Sequence, residues 1–348
     1  MKRICLISAC FGILACVVAI AQKTAAPPAV EMRTYATAFL ETMDQEQIKQ
    51  VQMPYDSDKR VQWHFIPMPT RKGIPLRDMN LAQQTAALRL VRAALSEVGY
   101  RKASQIMLLE GVLRQMEGAG SEERRDPRKY YVTIFGDPQQ TGKDTPWGLS
   151  FEGHHLSLNF VCRGDAIVDS TPQFFASNPA LIKSEVSGPL GKGTRVLTGE
   201  EVLAFELVNS LSSEQLELAK IADEAFPEIR FAGDPQPTIT EKEGLPYLKM
   251  DAAQQKLLSQ LIAEYNSAMP ADVVKERLEL IDAAGWDGIH FAWAGALKPG
   301  IGHYYRVRGE TFLIEFVNTQ PDAEGNPANH IHCVWRDMTG DFDLPISD

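Results

Sequence analysis

Apolar positions in the first part of the chain recur at helical spacing. Met32, Tyr35, Phe39 and Met43 follow one another at intervals of three or four residues, which places them on one face of a helix. This pattern predicts an amphipathic helix over residues 31–50.

Two more helices and one short strand complete the expected N-terminal third. Asp78 is a candidate cap for a helix that runs to Val98 and ends at Gly99, and Arg101–Met116 has the same apolar periodicity. Alternating apolar residues over 61–66, followed by a proline, are typical of a short strand. The first third is therefore predicted to be mainly helical.

From Tyr130 onward the apolar period changes to two. Strands are predicted at Tyr130–Phe135, Trp147–Phe151 and His154–Cys162, the last two as an antiparallel pair around Glu152-Gly153. Residues 164–193 are rich in Pro, Ser and Gly and are predicted to be irregular.

Helical signals return after residue 197. Thr198–Glu201 and Ser212–Gln215 match the capping-box pattern, and Asp251–Ser267 and Ala271–Ala284 have helical periodicity. The remaining strand candidates alternate clearly and lie near the C-terminus, at Asp287–Trp293, His303–Arg308, Thr311–Asn318 and Asn329–Arg336.

The two β-rich blocks, 130–163 and 287–337, must share a sheet, because isolated hairpins are only marginally stable. The chain is therefore predicted to be an α+β fold, with a mostly antiparallel sheet built from the middle and C-terminal thirds and flanked by helices. Residues 22–348 are expected to form a single domain, since no repeat or long linker divides them.

The N-terminus has the features of a Sec signal peptide over residues 1–21. Two basic residues precede an apolar run, which ends in the small-x-small triplet Ala19-Ile20-Ala21. A secreted or periplasmic protein without a stable membrane span after cleavage is the prediction. A retained membrane anchor and lipidation at Cys16 are alternatives.

The net charge of the chain limits the class of its binding partners. The formal charge is −10, and it becomes −12 when two basic residues leave with the signal peptide. An acidic chain without a basic patch is a poor nucleic-acid binder, so a small-molecule substrate or ligand is expected. Cys162 and Cys333 remain after cleavage, either as a disulfide or as two buried thiols.

Histidines carry the strongest chemical signal. Four of the seven lie in two pairs, His154-His155 and His330-Ile331-His332. Side chains two apart on a strand share a face, so His330 and His332 lie together, opposite the apolar face of Ile331, Cys333 and Trp335.

Imidazole is a common ligand of divalent metals, and zinc is favoured here, with copper as an alternative. His154, His155, His330 and His332 are the candidate ligands. By strand periodicity His155 is the better partner for the second pair, and His154 is a core or supporting group. A catalytic site without metal, and histidines satisfied by hydrogen bonds alone, remain open.

Two charged residues are candidates for catalysis. With a turn at Gly309-Glu310, Glu315 is expected to face Tyr304, and Arg306 lies on the same face of the hairpin. Glu315 is a candidate ligand, base or orienter of an imidazole, or one half of an ordinary Glu–Arg pair. Arg336 is expected to hold an anionic substrate group or to pair with an aspartate.

Four other residues are weaker candidates. His303 and Glu152 are possible site residues, the second more simply a solvated turn residue. His64 and His290 are interpreted as core histidines.

The two histidine motifs resemble one family. Gly153-His154-His155-Leu156-Ser157-Leu158-Asn159 and Asn329-His330-Ile331-His332-Cys333-Val334-Trp335-Arg336-Asp337 are similar to motifs of the secreted bacterial family catalogued as domain of unknown function 3500. The resemblance covers most of the chain and implies no particular activity. The motif positions it implies are Trp147, His154, His155, Glu315, His330, His332 and Arg336. Cys333 stands where a small residue such as serine is expected.

Three functions fit the sequence. The first is a secreted metal-dependent hydrolase, and the second is a periplasmic zinc- or copper-binding protein without catalysis. The third is a carbohydrate or small-molecule binding module with an aromatic stacking surface, formed by Trp147, Trp293, Trp335 and Tyr304.

Overall fold

The computed structural model of the chain describes residues 26–142, 144–238 and 242–345. The predicted signal peptide and Cys16 lie outside these residues. The described part contains eight α-helices: α1 Pro28–Glu41, α2 Gln45–Val51, α3 Leu81–Ala94, α4 Glu97–Glu117, α5 Thr198–Asn209, α6 Ser213–Ala219, α7 Ala252–Asn266 and α8 Ala271–Ala284.

Thirteen strands within the same residues form one sheet. The strands are β1 Gln52–Met53, β2 Ile74–Pro75, β3 Tyr131–Phe135, β4 Trp147–Gly153, β5 Leu156–Arg163, β6 Ala166–Asp169, β7 Gln173–Ser177, β8 Lys220–Ala222, β9 Leu245–Pro246, β10 His290–Gly295, β11 His303–Arg308, β12 Phe312–Asn318 and β13 Ile331–Asp337.

The sheet joins the middle and C-terminal thirds of the chain. Its order is β1-β3-β4-β5-β7-β13-β12-β11-β10-β8, with β2, β6 and β9 pairing beside it. The pairs β1–β3 and β8–β10 are parallel and the others are antiparallel. The predicted α+β fold with a mostly antiparallel sheet is therefore confirmed.

Different elements pack on the two faces of the sheet. Helices pack on one face and enclose the larger apolar core, to which Ile331, Cys333 and Trp335 belong. Val334, from the opposite face of β13, joins a smaller cluster with Trp63 and other side chains from the covering loops. The predicted alternation of β13 is confirmed, and its histidine face lies under loops.

Several helix boundaries differ from the prediction because other caps compete. The expected helix over 31–50 is two helices, since Asp44 caps α2 with a capping box. Asn80 rather than Asp78 caps α3, and Ser96 begins a new helix, so Gly99 lies inside α4. The Ser212 capping box is confirmed.

Thr198 does not act as a cap. It is the first residue of α5, and Leu197 precedes it without a side-chain cap. Its hydroxyl donates to the Arg195 carbonyl oxygen instead, so the predicted capping box at this helix is wrong.

Two segments were assigned wrongly from their local pattern. Residues 61–66 are not a strand; they form a loop whose Trp63 and Phe65 are buried against the sheet. Residues 164–193, predicted to be irregular, contain β6 and β7, and β7 is the strand that links the two β-rich blocks.

The two cysteines are free and buried. Leu156 on β5 and Cys333 on β13 both pair with Phe175 on β7, and Cys162 lies six residues beyond Leu156. At about 3.3 Å per residue this is roughly 20 Å along the strand, far beyond disulfide reach. The disulfide alternative is therefore excluded.

None of the helices in the described residues combines the length and apolar character needed to cross a membrane.

Candidate metal centre

Three imidazoles converge at one end of the sheet. The Nε2 atom of His330 lies 2.8 Å from Nε2 of His155 and 3.0 Å from Nε2 of His332. One nitrogen from each of the three residues lies within 4.8 Å of the other two. The prediction that the two remote histidine pairs meet is confirmed.

His155 reaches the centre from a tight turn, not from a strand. The turn between β4 and β5 consists of His154 and His155, and His155 has φ of 65°. Its amide donates to the Phe65 carbonyl (2.9 Å), and its carbonyl accepts from the Ala176 amide (2.9 Å). The strand-face argument for His155 was therefore wrong, although the residue belongs to the centre.

A left-handed backbone is uncommon for a residue other than glycine, and it persists only where the surroundings hold it. At His155 the two backbone hydrogen bonds supply that hold. They fix the imidazole over β7 and toward β13.

β13 and its neighbours supply the other two imidazoles. His332 pairs in register with Ala176 of β7, and His155 lies on the other side of Ala176. The small alanine leaves space, so that the rings of His155 and His332 approach to 5.3 Å between centroids. His330, one residue before β13, is held by its amide, which donates to Asn318 Oδ1 (2.9 Å).

Glu228 orients His332, and sequence reasoning missed it. Both carboxylate oxygens lie 2.8 Å from Nδ1 of His332. The carboxylate accepts a hydrogen bond from Nδ1–H, which leaves the Nε2 lone pair directed at His330 and His155. Such carboxylate–histidine pairs are typical of metal sites. Glu228 lies in a loop a hundred residues from His332, and no motif points to it.

Burial and repulsion between neighbouring imidazoles disfavour the charged forms of His155 and His330. Desolvation, reinforced by neighbouring imidazoles, holds the pKa of His155 well below its usual value. The same two causes, desolvation first, lower the pKa of His330 to about 2. Neutral imidazole is the form that binds a metal ion.

His154 lies beside the centre and faces another group of residues. Its ring centroid lies 3.6 Å from that of His155, with the two rings tilted by 30°, and its Nδ1 contacts the buried Glu110 carboxylate. Arg125 lies 3.0 Å from the same nitrogen and also pairs with Glu117. His154 therefore contacts a ligand candidate directly but is not one of the three residues whose nitrogens converge.

Glu315 lies on the same sheet face as His332. It pairs across the strands with Val334, which comes two residues after His332 on β13. It is fully buried and accepts a hydrogen bond from Tyr304 (2.5 Å), with Arg230 at 3.4 Å. Its other oxygen, Oε2, has no partner in the described residues. Burial raises the pKa of the Glu315 carboxyl.

Arg336 makes a buried ion pair with Asp341 (2.6 Å) and donates to the carbonyl oxygens of Phe231 and Asp234. These contacts occupy all three nitrogen atoms of its guanidinium group. The structure places it near the opposite end of β13 from His330.

The four weaker candidates lie elsewhere. His303 is on the helix-covered face and contacts Glu201 at 3.2 Å, so the expectation that it reaches the centre is wrong. Glu152 is buried and paired with Lys72 rather than solvated. His64 and His290 are only partly buried and are not core histidines.

The expected aromatic binding surface is not present. The four side chains proposed for it are at most 2% exposed: Trp147, Trp293, Trp335 and Tyr304. They pack inside the molecule and offer no stacking surface to a sugar ring.

The three histidines could hold a metal ion, and their spacing can be compared with that of a zinc site. Two nitrogens bound tetrahedrally at 2.0–2.1 Å from zinc lie about 3.3 Å apart, close to the 2.8 and 3.0 Å found here. Three protein ligands leave a fourth position for water or substrate, as in catalytic zinc sites.

Fold and site together define an α+β protein with a buried three-histidine centre. The chain belongs to the family described as "Protein of unknown function (DUF3500)", whose model matches residues 25–344. The comparisons with curated proteins and with solved structures gave no match.

Proposed function

We propose that the chain is a metal-dependent hydrolase in which His155, His330 and His332 hold one divalent ion, with zinc preferred to copper. The observation that carries this proposal is the convergence of three Nε2 atoms, with Glu228 fixing the proton of His332. When bound by three imidazoles, zinc supplies an acidified water and a Lewis acid.

The remaining roles fall to this chain's own residues. Glu315 is the proposed proton acceptor, because it is on the same face, carries an unpartnered oxygen among the described residues and has a raised pKa. Arg336 is proposed to anchor residues 231–234, since its nitrogens are already engaged. Phe65 and Phe174 border His332 with apolar rings and limit access of water.

The metal is tested first. Protein purified without a histidine tag should contain about one zinc per chain by elemental analysis. His332→Ala should lose it, and His290→Ala, which alters a partly buried histidine outside the centre, should retain it. Equal metal content in both variants would refute the centre.

An open coordination position distinguishes an enzyme from a binding protein. In cobalt-substituted protein the visible spectrum should change when azide is added, because azide can occupy a vacant position. A spectrum indifferent to azide would indicate a closed sphere and favour metal binding without catalysis. Glu315→Gln should keep the metal and abolish hydrolysis of a responsive ester or amide substrate.

We also propose that residues 1–21 are a signal peptide and that the mature protein is secreted or periplasmic. Mass spectrometry of the exported protein should show Gln22 at the N-terminus. An intact Met1, or a lipidated Cys16, would contradict this proposal.

A further inference from the structure

An open cleft of about 460 Å³ lies beside the metal centre, on the loop-covered face of the sheet. Its walls include three cationic side chains and one carboxylate, Lys59, Arg71, Lys72 and Glu152. Met68 adds exposed apolar surface.

The cleft and the centre share two chain segments. The Phe65 ring lies between them, 5.1 Å from the ring of His64, which lines the cleft, and 5.0 Å from the ring of His332. The segment that carries Glu228 continues to Gly233, which also lines the cleft. One phenyl ring therefore separates the cleft wall from a proposed metal ligand.

The charge of the cleft is positive in a chain of net charge −10. Lys72 pairs with Glu152 at 2.9 Å, so these two charges compensate each other. Neither Lys59 nor Arg71 has a carboxylate within ion-pair distance among residues 26–142, 144–238 and 242–345. Arg71 is fixed in place because it donates to the carbonyl oxygens of His64 (2.5 Å) and Ile66.

Unlike Arg336, Arg71 has no carboxylate partner within the described residues, so its charge and its remaining N–H groups are available to an oxyanion. We propose that the cleft binds the anionic group of the substrate, a carboxylate or a phosphate ester, while the reactive bond reaches the metal centre. Met68, which is exposed, would contact the hydrocarbon that carries the anion. This inference rests on the proposed function.

Calorimetric titration of the whole chain, freed of metal by a chelator that is then removed, tests the cleft by itself. Benzoate and phenyl phosphate represent the two anion types, and benzyl alcohol is the uncharged control. We expect one or both anions to bind and benzyl alcohol to bind at least tenfold more weakly. Equal binding of the alcohol would overturn the proposal.

Charge reversal locates the site. Lys59→Glu should weaken anion binding about tenfold, because an attraction across a few ångströms becomes a repulsion. Lys59 is exposed, so folding should not change. Lys256→Glu reverses an exposed charge on α7 and should leave binding unaltered. An unchanged affinity in Lys59→Glu would refute the cleft.

The zinc-loaded protein separates this inference from the proposed function. Anion binding without metal supports the cleft even if the protein proves not to be a hydrolase. Binding seen only with zinc and lost in His332→Ala would mean that the anion coordinates the metal, and the cleft proposal would be wrong.

Discussion

At the scale of single residues, Glu228 shows how one side chain prepares a centre. Its carboxylate lies 2.8 Å from Nδ1 of His332 through both oxygens, although a third of it remains exposed. The pair selects one tautomer of the imidazole. The negative charge also makes Nε2 a stronger ligand.

We expect Glu228→Gln to weaken zinc binding about 10- to 100-fold. The amide oxygen can still accept a hydrogen bond from Nδ1–H, but the negative charge is lost. Competition with a chromophoric chelator measures the affinity. Glu224→Gln, an exposed change in the same loop, is the control. An affinity equal to wild type would show that Glu228 does not support the centre.

Ala176 is the second residue on which the centre depends. Ala176→Leu would place a branched side chain under two rings that are 5.3 Å apart, so zinc content should fall. Overpacking should also cost about 1–3 kcal/mol in urea unfolding. Ala176→Ser, of similar size, should keep both properties. Full zinc content in the leucine variant would contradict the geometry.

Strand periodicity predicted two of the three converging histidines for the right reason and the third for the wrong one. His330 and His332 follow from strand periodicity, which β13 obeys. His155 was selected by the same rule, yet it lies in a turn. Glu228 could not be predicted, because only the fold brings residues 228 and 332 together.

At the scale of elements, helices were predicted correctly where nearby side chains accept hydrogen bonds from the first backbone amides of the helix. Asp251 accepts hydrogen bonds from the amides of Ala253 and Gln254, and Gln254 completes the capping box of α7. The C-terminal hairpin is confirmed, but its register differs by two residues from the prediction: Glu315 pairs with Arg306, and Tyr304 pairs with Val317.

We expect Asp251→Ala to lower the free energy of unfolding by about 1 kcal/mol, because two amides at the start of α7 lose their acceptor. Asp251→Asn should have a much smaller effect, since asparagine caps about as well. Urea unfolding followed by circular dichroism measures both. An alanine variant as stable as wild type would mean that water replaces the cap without loss.

The local sequence of β7 does not predict a strand. Its five residues, Gln173–Ser177, do not alternate in polarity, and prolines lie close to both ends. It is a strand because β5 and β13 pair with it on both sides. Residues 61–66 show the converse, since their apolar side chains cover the sheet without joining it.

At the scale of the whole molecule, the centre joins the two β-rich blocks that the sequence places far apart. His155 comes from the middle block, His330 and His332 from the last, and β7 lies between them. A metal ion bound there would bridge both blocks, so its binding should stabilise the folded chain as a unit.

We expect zinc to raise the melting temperature by several degrees. A free concentration a hundred times the dissociation constant adds about 2.7 kcal/mol, provided that the unfolded chain does not bind. Thermal unfolding with zinc and with a chelator measures the shift. His332→Ala should show none, and an equal shift in that variant would indicate a nonspecific effect.

The two separated thiols have a consequence for biosynthesis. Burial raises the pKa of Cys162 to about 12 and that of Cys333 well above its usual value, so little reactive thiolate forms. Assembly of residues 26–345 therefore requires no oxidant and no disulfide isomerase. The same fold should form in the reducing cytosol of an expression host and in an oxidising compartment, and reductant should leave its stability unchanged.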